Sequence, residues 1–204
     1  MKRQEAPGQL EVVRSFLNTL DLELRVDRLD TTHGLADWLA GQLPDLGVDP
    51  PSEQDRRSVV ALRDALRAVL ADTPAHDGGP GTSSGPGTSG GPGGSASGTG
   101  AVDALDRLIA GLPLRLSFAG TMTPRLGSTR RGVDAVLARL LEIVMVATID
   151  GAWARLKMCP ADDCRWVFYD NARNRMGVWC QMTECGNRRK VREHRSRRRS
   201  APTG

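Results

Sequence analysis

Four cysteines in the last quarter of this 204-residue chain constrain its fold more than any other feature: Cys159-x4-Cys164-x15-Cys180-x4-Cys185. Two pairs of equal internal spacing are separated by a segment long enough to fold back, so that each pair can supply half of a tetrahedral shell. Structural zinc takes four Cys or His ligands, often from two such knuckles, and the thiols lose their protons on binding. The pattern therefore predicts a closed Zn2+ site held by Cys159, Cys164, Cys180 and Cys185. An iron–sulfur cluster, a redox-switched disulfide pair and four free thiols remain as alternatives, although the cluster spacings of ferredoxins differ from this one. A catalytic zinc is disfavoured because it keeps an open position.

The compartment bears on the same choice. Met1 to Gln9 has no apolar core of the kind a secretory signal needs. The most apolar stretch, Val136 to Ile149, is broken by Arg139 and Glu142 and falls short of the roughly 20 residues that span a bilayer. A cytoplasmic protein without a membrane partner is expected, and in a reducing compartment paired cysteines point to metal before disulfide.

Between the pairs, Trp166 and Phe168 alternate with Val167 and Tyr169 as in a strand. Asp170-Asn171 signals a turn, and a second limb over Arg173 to Trp179 is expected to complete a hairpin that delivers Cys180 beside Cys164. Beyond Cys185 the run to Arg199 contains no proline and reads as a helix starting at the fourth ligand. On it Arg188, Arg192, Arg195 and Arg199 share an arc of about 60°. Residues 151–204 hold thirteen Lys and Arg against five Asp and Glu, so a polyanion is the expected partner, nucleic acid ahead of a membrane surface.

The rest of the chain reads as helical. Aromatic residues make up only 4% of it, so the core falls to Leu, Val and Ala. Leu10, Val13 and Leu17 recur at helical intervals over 9–18, and Thr31 or Thr32 caps a short helix carrying Leu35, Trp38, Leu39 and Leu43 before Pro44. Ser52-x-x-Asp55 opens a third helix with Val59, Leu62, Leu66 and Leu70 on one face. From Asp72 to Gly100 the sequence becomes Gly, Ser, Pro and Thr, with too little apolar surface to offset ordering, and reads as a flexible tether. A short helix around Leu105, Leu108, Ile109 and Leu112 follows. A small hairpin begins at Leu114, Leu116 and Phe118, and the strongest helical periodicity in the chain runs through Val133, Val136, Leu137, Leu140, Leu141, Val144 and Met145.

The run Trp179-Cys180-x-Met182-x-x-Cys185-Gly186-Asn187-Arg188 resembles the signature of the CGNR zinc finger family. Cys159-x4-Cys164-x-Trp166-x-Phe168-x-Asp170, then Asn174, Lys190 and Arg195, keep the order of that signature. Members usually pair the finger with an N-terminal helical domain called ABATE, whose landmarks Phe16-Leu17-Asn18-Thr19, Leu35, Trp38, Leu39 and Ala61-Leu62-Arg63 resemble. The resemblance implies a mainly α fold: an ABATE-like domain over 1–153 with a low-complexity insertion at 72–100, then a finger of β-hairpin and basic helix over 154–200. It also implies a stress-linked transcription regulator that binds duplex DNA. The nucleic-acid-binding candidates are Asn187, Arg188, Arg189, Lys190, Arg192, Arg195 and Arg199. Arg188 has a second reading, as a cation offsetting the charge of the metal tetrathiolate. Relatives read Ser-Arg-Arg where this chain has Met176-Gly177-Val178, and serine at Ala172. An RNA-binding module, with Trp166, Tyr169 or Trp179 stacking on bases, and a protein-interaction adaptor are the competing functions. No His-Glu-x-x-His run and no phosphate-binding glycine loop is present, so an enzyme is not expected.

Overall fold

The computed structural model describes residues 5–73, 96–118, 120, 122–188 and 191, with side chains from 100 onward in the helix that opens at Ala96. Most of the expected tether, together with Arg189, Lys190, Arg192, Arg195 and Arg199, lies outside the described residues.

Among the described residues the fold is carried by α1 (Leu10–Leu17), α2 (Thr32–Gln42), α3 (Glu53–Asp72), α4 (Ala96–Ala110) and α5 (Val133–Ile149). Local chemistry explains their starts. Thr31 Oγ1 accepts from the Gly34 N–H at 3.0 Å. Ser52 and Asp55 satisfy each other's backbone N–H groups in a full capping box, each such cap contributing about 1 kcal/mol.

Three two-stranded antiparallel ladders accompany the helices: β1 (Leu20–Asp21) with β2 (Val26–Asp27), β3 (Leu114–Ser117) with β4 (Arg125–Ser128), and β5 (Leu156–Met158) with β6 (Val167–Tyr169). The first lies just beyond α1, after the helix expected over 9–18 has ended. There the chain turns at Arg25, whose φ is 54°, and Leu24 and Val26 are exposed.

α1, α3 and α5 pack on one another, with α2 and α4 against α3. Val13, Phe16, Leu35, Leu62, Leu66, Val136 and Leu140 are buried at their centre, and the rings of Phe16 and Trp38 meet at 5.3 Å between centroids. β5 and β6 join that core, because Leu156, Val167 and Tyr169 belong to the same apolar cluster.

Several charges are buried with their partners. Arg63, on the inner face of α3, binds both oxygens of Asp27 at 2.6 and 2.9 Å and reaches Thr19 Oγ1 and Asp64. Glu142 of α5 takes Arg125 at 2.5 and 3.1 Å, Arg139, and the Leu126 N–H. Burial alone would raise the carboxyls of Asp27 and Glu142, but hydrogen bonds from Arg63 and from Arg125 and Arg139 outweigh it and hold both below their ordinary values. Groups lowered in the fold stabilise it fully above the unfolded carboxylate value, about 4, and lose that contribution as pH falls through the lowered folded values. Urea stability should therefore be level from pH 7 to about 5 and fall below it. Glu142→Gln should flatten part of that acid limb, which a pH series of urea midpoints would read.

Candidate metal centre

The first knuckle is the β5–β6 turn. Cys159 follows β5 directly, its N–H bonds to Trp166 O at 2.9 Å, and the N–H groups of Cys164 and Arg165 both return to Ala161 O. Closing so tight a turn puts Arg165 at φ 49°. Backbone N–H groups also reach the sulfurs: Ala161 and Cys180 on Cys159, and Trp166 on Cys164. Such bonds favour the thiolate over the thiol.

The hairpin therefore differs from the one expected. β6 pairs with the preceding β5, Met158 opposite Val167 and Leu156 opposite Tyr169, and residues 173–179 form no strand. That segment is a loop wound round Asp170. This buried carboxylate accepts from Lys157 Nζ at 2.7 Å, the Ala172 N–H at 3.0 Å and the Gly177 N–H at 2.8 Å. Lys157 Nζ also reaches Arg175 O at 2.5 Å and Gly177 O at 3.1 Å. Burial would raise Asp170, but Lys157 and the two backbone N–H groups leave it lowered. The loop ends by setting Cys180 Sγ 3.6 Å from Cys164 Sγ.

Gly177 has a specific reason to be glycine. A Cβ there would stand 2.7 Å from Asp170 Oδ1 and 2.8 Å from its Cγ. Gly177→Ala should cost about 1–3 kcal/mol, the usual penalty for overpacking, with weaker metal retention against a chelator as the readout.

The fourth ligand arrives on a π-helical turn, Met182–Gly186, which begins three residues before Cys185 rather than at it. The backbone of Gly186 is not left-handed, and a Cβ there would stand 2.5 Å from Met182 Sδ and 3.3 Å from Trp179 Cδ1, so the exposed Met182 side chain would have to move. Asn187 is exposed and donates to Thr183 O at 3.1 Å.

All four cysteines are buried and none is disulfide-bonded. Their sulfurs lie within 4.8 Å of one another, with Cys180 Sγ 3.6 Å from both Cys164 Sγ and Cys185 Sγ. Ligands about 2.3 Å from a common ion stand about 3.8 Å apart in a tetrahedron, so this spacing fits one ion. It is far from the ~2.05 Å of a disulfide. Hydrogen bonds from Cys164 and Cys180 push the Cys159 thiol down to about 2. The hydrogen bond to Cys159 in turn pushes Cys164 up to about 12, and hydrogen bonds to Cys159 and Cys164 push Cys180 higher still. Binding of a divalent cation would displace the protons of these thiols.

Arg188 lies against this cluster. Its Nη2 donates to Cys185 Sγ at 3.2 Å, and its Nη1 is 3.1 Å from Glu23 Oε1 and 3.8 Å from Asp163 Oδ2. The sulfur bond is the main reason its guanidinium is held above its ordinary value. Of the predicted nucleic-acid residues, Asn187 and Arg188 are placed at the metal centre; Arg189, Lys190, Arg192, Arg195 and Arg199 lie outside the described residues.

Sequence reasoning missed the residues that fasten this centre to the helices. Asn18, at the end of α1, donates to Val167 O at 2.7 Å and accepts from the Val167 N–H at 2.8 Å. Arg67 of α3 bridges Leu17 O at 2.5 Å and Arg165 O at 3.1 Å. The signal available was two polar residues, Asn18 and Arg67, next to apolar positions on their helices.

Residues 11–156 match the family model ABATE, described as "Putative stress-induced transcription regulator". The chain belongs to the ABATE family. The match spans the Gly/Ser tract, which so lies inside the ABATE region and does not end it. Residues 155–198 match the CGNR zinc finger model, and all four cysteines of the metal centre fall within that segment. The two matches meet at β5, whose Leu156 is buried in the helical core and which runs directly into Cys159. A comparison with curated proteins finds no match. No helix among the described residues is long and apolar enough to cross a membrane.

Proposed function

We propose that the four thiolates hold one zinc ion in a structural site, and that this ABATE protein is a DNA-binding transcription regulator with no enzymatic activity. The sulfur spacing carries the metal assignment: four buried sulfurs within 4.8 Å of one another suit a single ion. Zinc is favoured because a d10 ion accepts a tetrathiolate shell without redox chemistry. All four positions are taken by protein, which leaves no open coordination site for a substrate.

The family description and the basic C-terminal segment support duplex DNA as the partner. Arg188 is turned toward Cys185 and Glu23, so we assign it to neutralising the tetrathiolate. Phosphate contact falls to Arg192, Arg195 and Arg199, with Asn187, Arg189 and Lys190 beside them. The single-strand RNA reading loses support: Tyr169 is buried in the helical core, while Trp166 and Trp179 pack against the cysteine cluster.

Labelled duplex titrated at increasing salt tests this function. Affinity should fall with a log–log slope of about −3 if three phosphates are contacted. Replacing Arg192 and Arg195 together by Ala should reduce that slope by about 2 while metal content is unchanged. A salt-independent affinity, or a slope untouched by the double replacement, would favour a protein-interaction adaptor.

A further inference from the structure

Beside the β3–β4 hairpin, a cavity of about 510 Å3 opens between the start of α1, β4 and the C-terminal half of α5. Small-molecule sites occupy about 300–1,000 Å3 and combine an apolar lining with a few convergent polar groups. Here the floor is Leu10, Ile143 and Ala147, all buried, and the half-exposed Val146 stands at the rim.

One end of the cavity holds Arg125, Arg139 and Glu142. A carboxylate offers about four acceptor positions. Glu142 fills four of them, with Arg125 Nε and the Leu126 N–H on Oε1, and Arg125 Nη2 and Arg139 Nη1 on Oε2. Arg139 Nη2 adds one bond to Gln9 Oε1 at 3.2 Å. A guanidinium carries five N–H donors, so among the described residues both arginines keep donors while the glutamate has no acceptor position left. Two positive charges against one negative give this end a surplus of charge of the same sign as its surplus of hydrogens. Asp150, the other acid lining the cavity, sits eight residues further along the chain, about 12 Å away at helical rise. One of its oxygens accepts from the Ala152 N–H at 2.9 Å.

We propose that this cavity binds a small amphipathic acid, its carboxylate or equivalent anionic head on the free N–H groups of Arg125 and Arg139 and its apolar body on Leu10, Ile143 and Ala147. Arg125 and Arg139 are then binding residues as well as partners of Glu142. The site belongs to the helical part of the chain and stands whether or not the finger contacts nucleic acid.

Decanoate and decanol, titrated into the metal-loaded full chain and followed by backbone amide chemical shifts, separate head from body. Decanoate should give saturable shifts at Leu10, Arg125, Ile143 and Ala147, and decanol should bind roughly tenfold or more weakly, the worth of one charge-assisted contact. Val146→Trp should fill the cavity from its solvent side and abolish both titrations with the remaining spectrum unchanged. Arg125→Gln should weaken decanoate and leave decanol alone, which keeps the test decisive if the tryptophan variant folds poorly. Saturable shifts elsewhere, no saturation with decanoate, or equal affinity for the alcohol would overturn the proposal.

Discussion

Stripping the metal with a tight chelator should unfold the finger and lower the melting temperature of the helices with it. The finger has little core of its own: Phe168 and the four cysteines, with Ala161, Trp166 and Trp179 packed around them. Structural zinc contributes about 10–16 kcal/mol to small modules of this kind, so the finger should not survive metal loss. The helical part should feel it because Leu156, Val167 and Tyr169 leave its core when β5 and β6 come apart. Each buried apolar side chain is worth about 1.5–3 kcal/mol, and the three together rival a large part of a marginal domain stability of about 5–15 kcal/mol. A chain of this size shifts by about 2–4 °C per kcal/mol, which puts the expected fall at 10 °C or more. Circular dichroism melts with and without chelator, and after zinc is restored, would show it. Coincident helix melts would mean that the strands are not fastened to the helices.

Asn18→Ala should destabilise the fold by about 2–5 kcal/mol, because it strips both partners from a buried backbone unit, the N–H and C=O of Val167. Those groups face α1 and cannot recover their bonds from water. The same replacement should weaken metal binding, since whatever loosens β6 raises the cost of assembling the thiolates. Urea midpoints and chelator competition should move together. Asn171→Ala, at an exposed position of the Asp170 loop, should move neither.

What could be read from sequence was what is written locally. Thr31, the Ser52–Asp55 box and the apolar stripe of α5 each act within a turn or two of themselves, and those helices stand where their residues put them. The cysteine spacing foretold the sulfur cluster for the same reason, because two short knuckles leave few other arrangements. Partner choice was less legible. Alternation in Trp166–Tyr169 announces a strand but does not say which neighbour it takes, and Leu156–Met158 is too short to advertise itself. Both faces of β6 are covered, Val167 and Tyr169 by the helices and Phe168 by the cysteines. The expected alternation of buried and exposed positions is therefore absent there. Asn18, Arg67 and Glu142 were hidden because their work is done across 16 to 149 residues of chain. Of the resemblance landmarks, Asn18, Thr19 and Arg63 turn out to be the polar contacts that join α1, β2, α3 and the finger.

X-ray absorption at the metal edge of the purified protein, together with its metal-to-protein ratio, tests the metal centre most directly. We expect one zinc per chain, bound by four sulfurs at about 2.3 Å. A protein that holds no metal, or a shell containing oxygen or nitrogen in place of one of the four cysteines, would contradict the closed tetrathiolate centre.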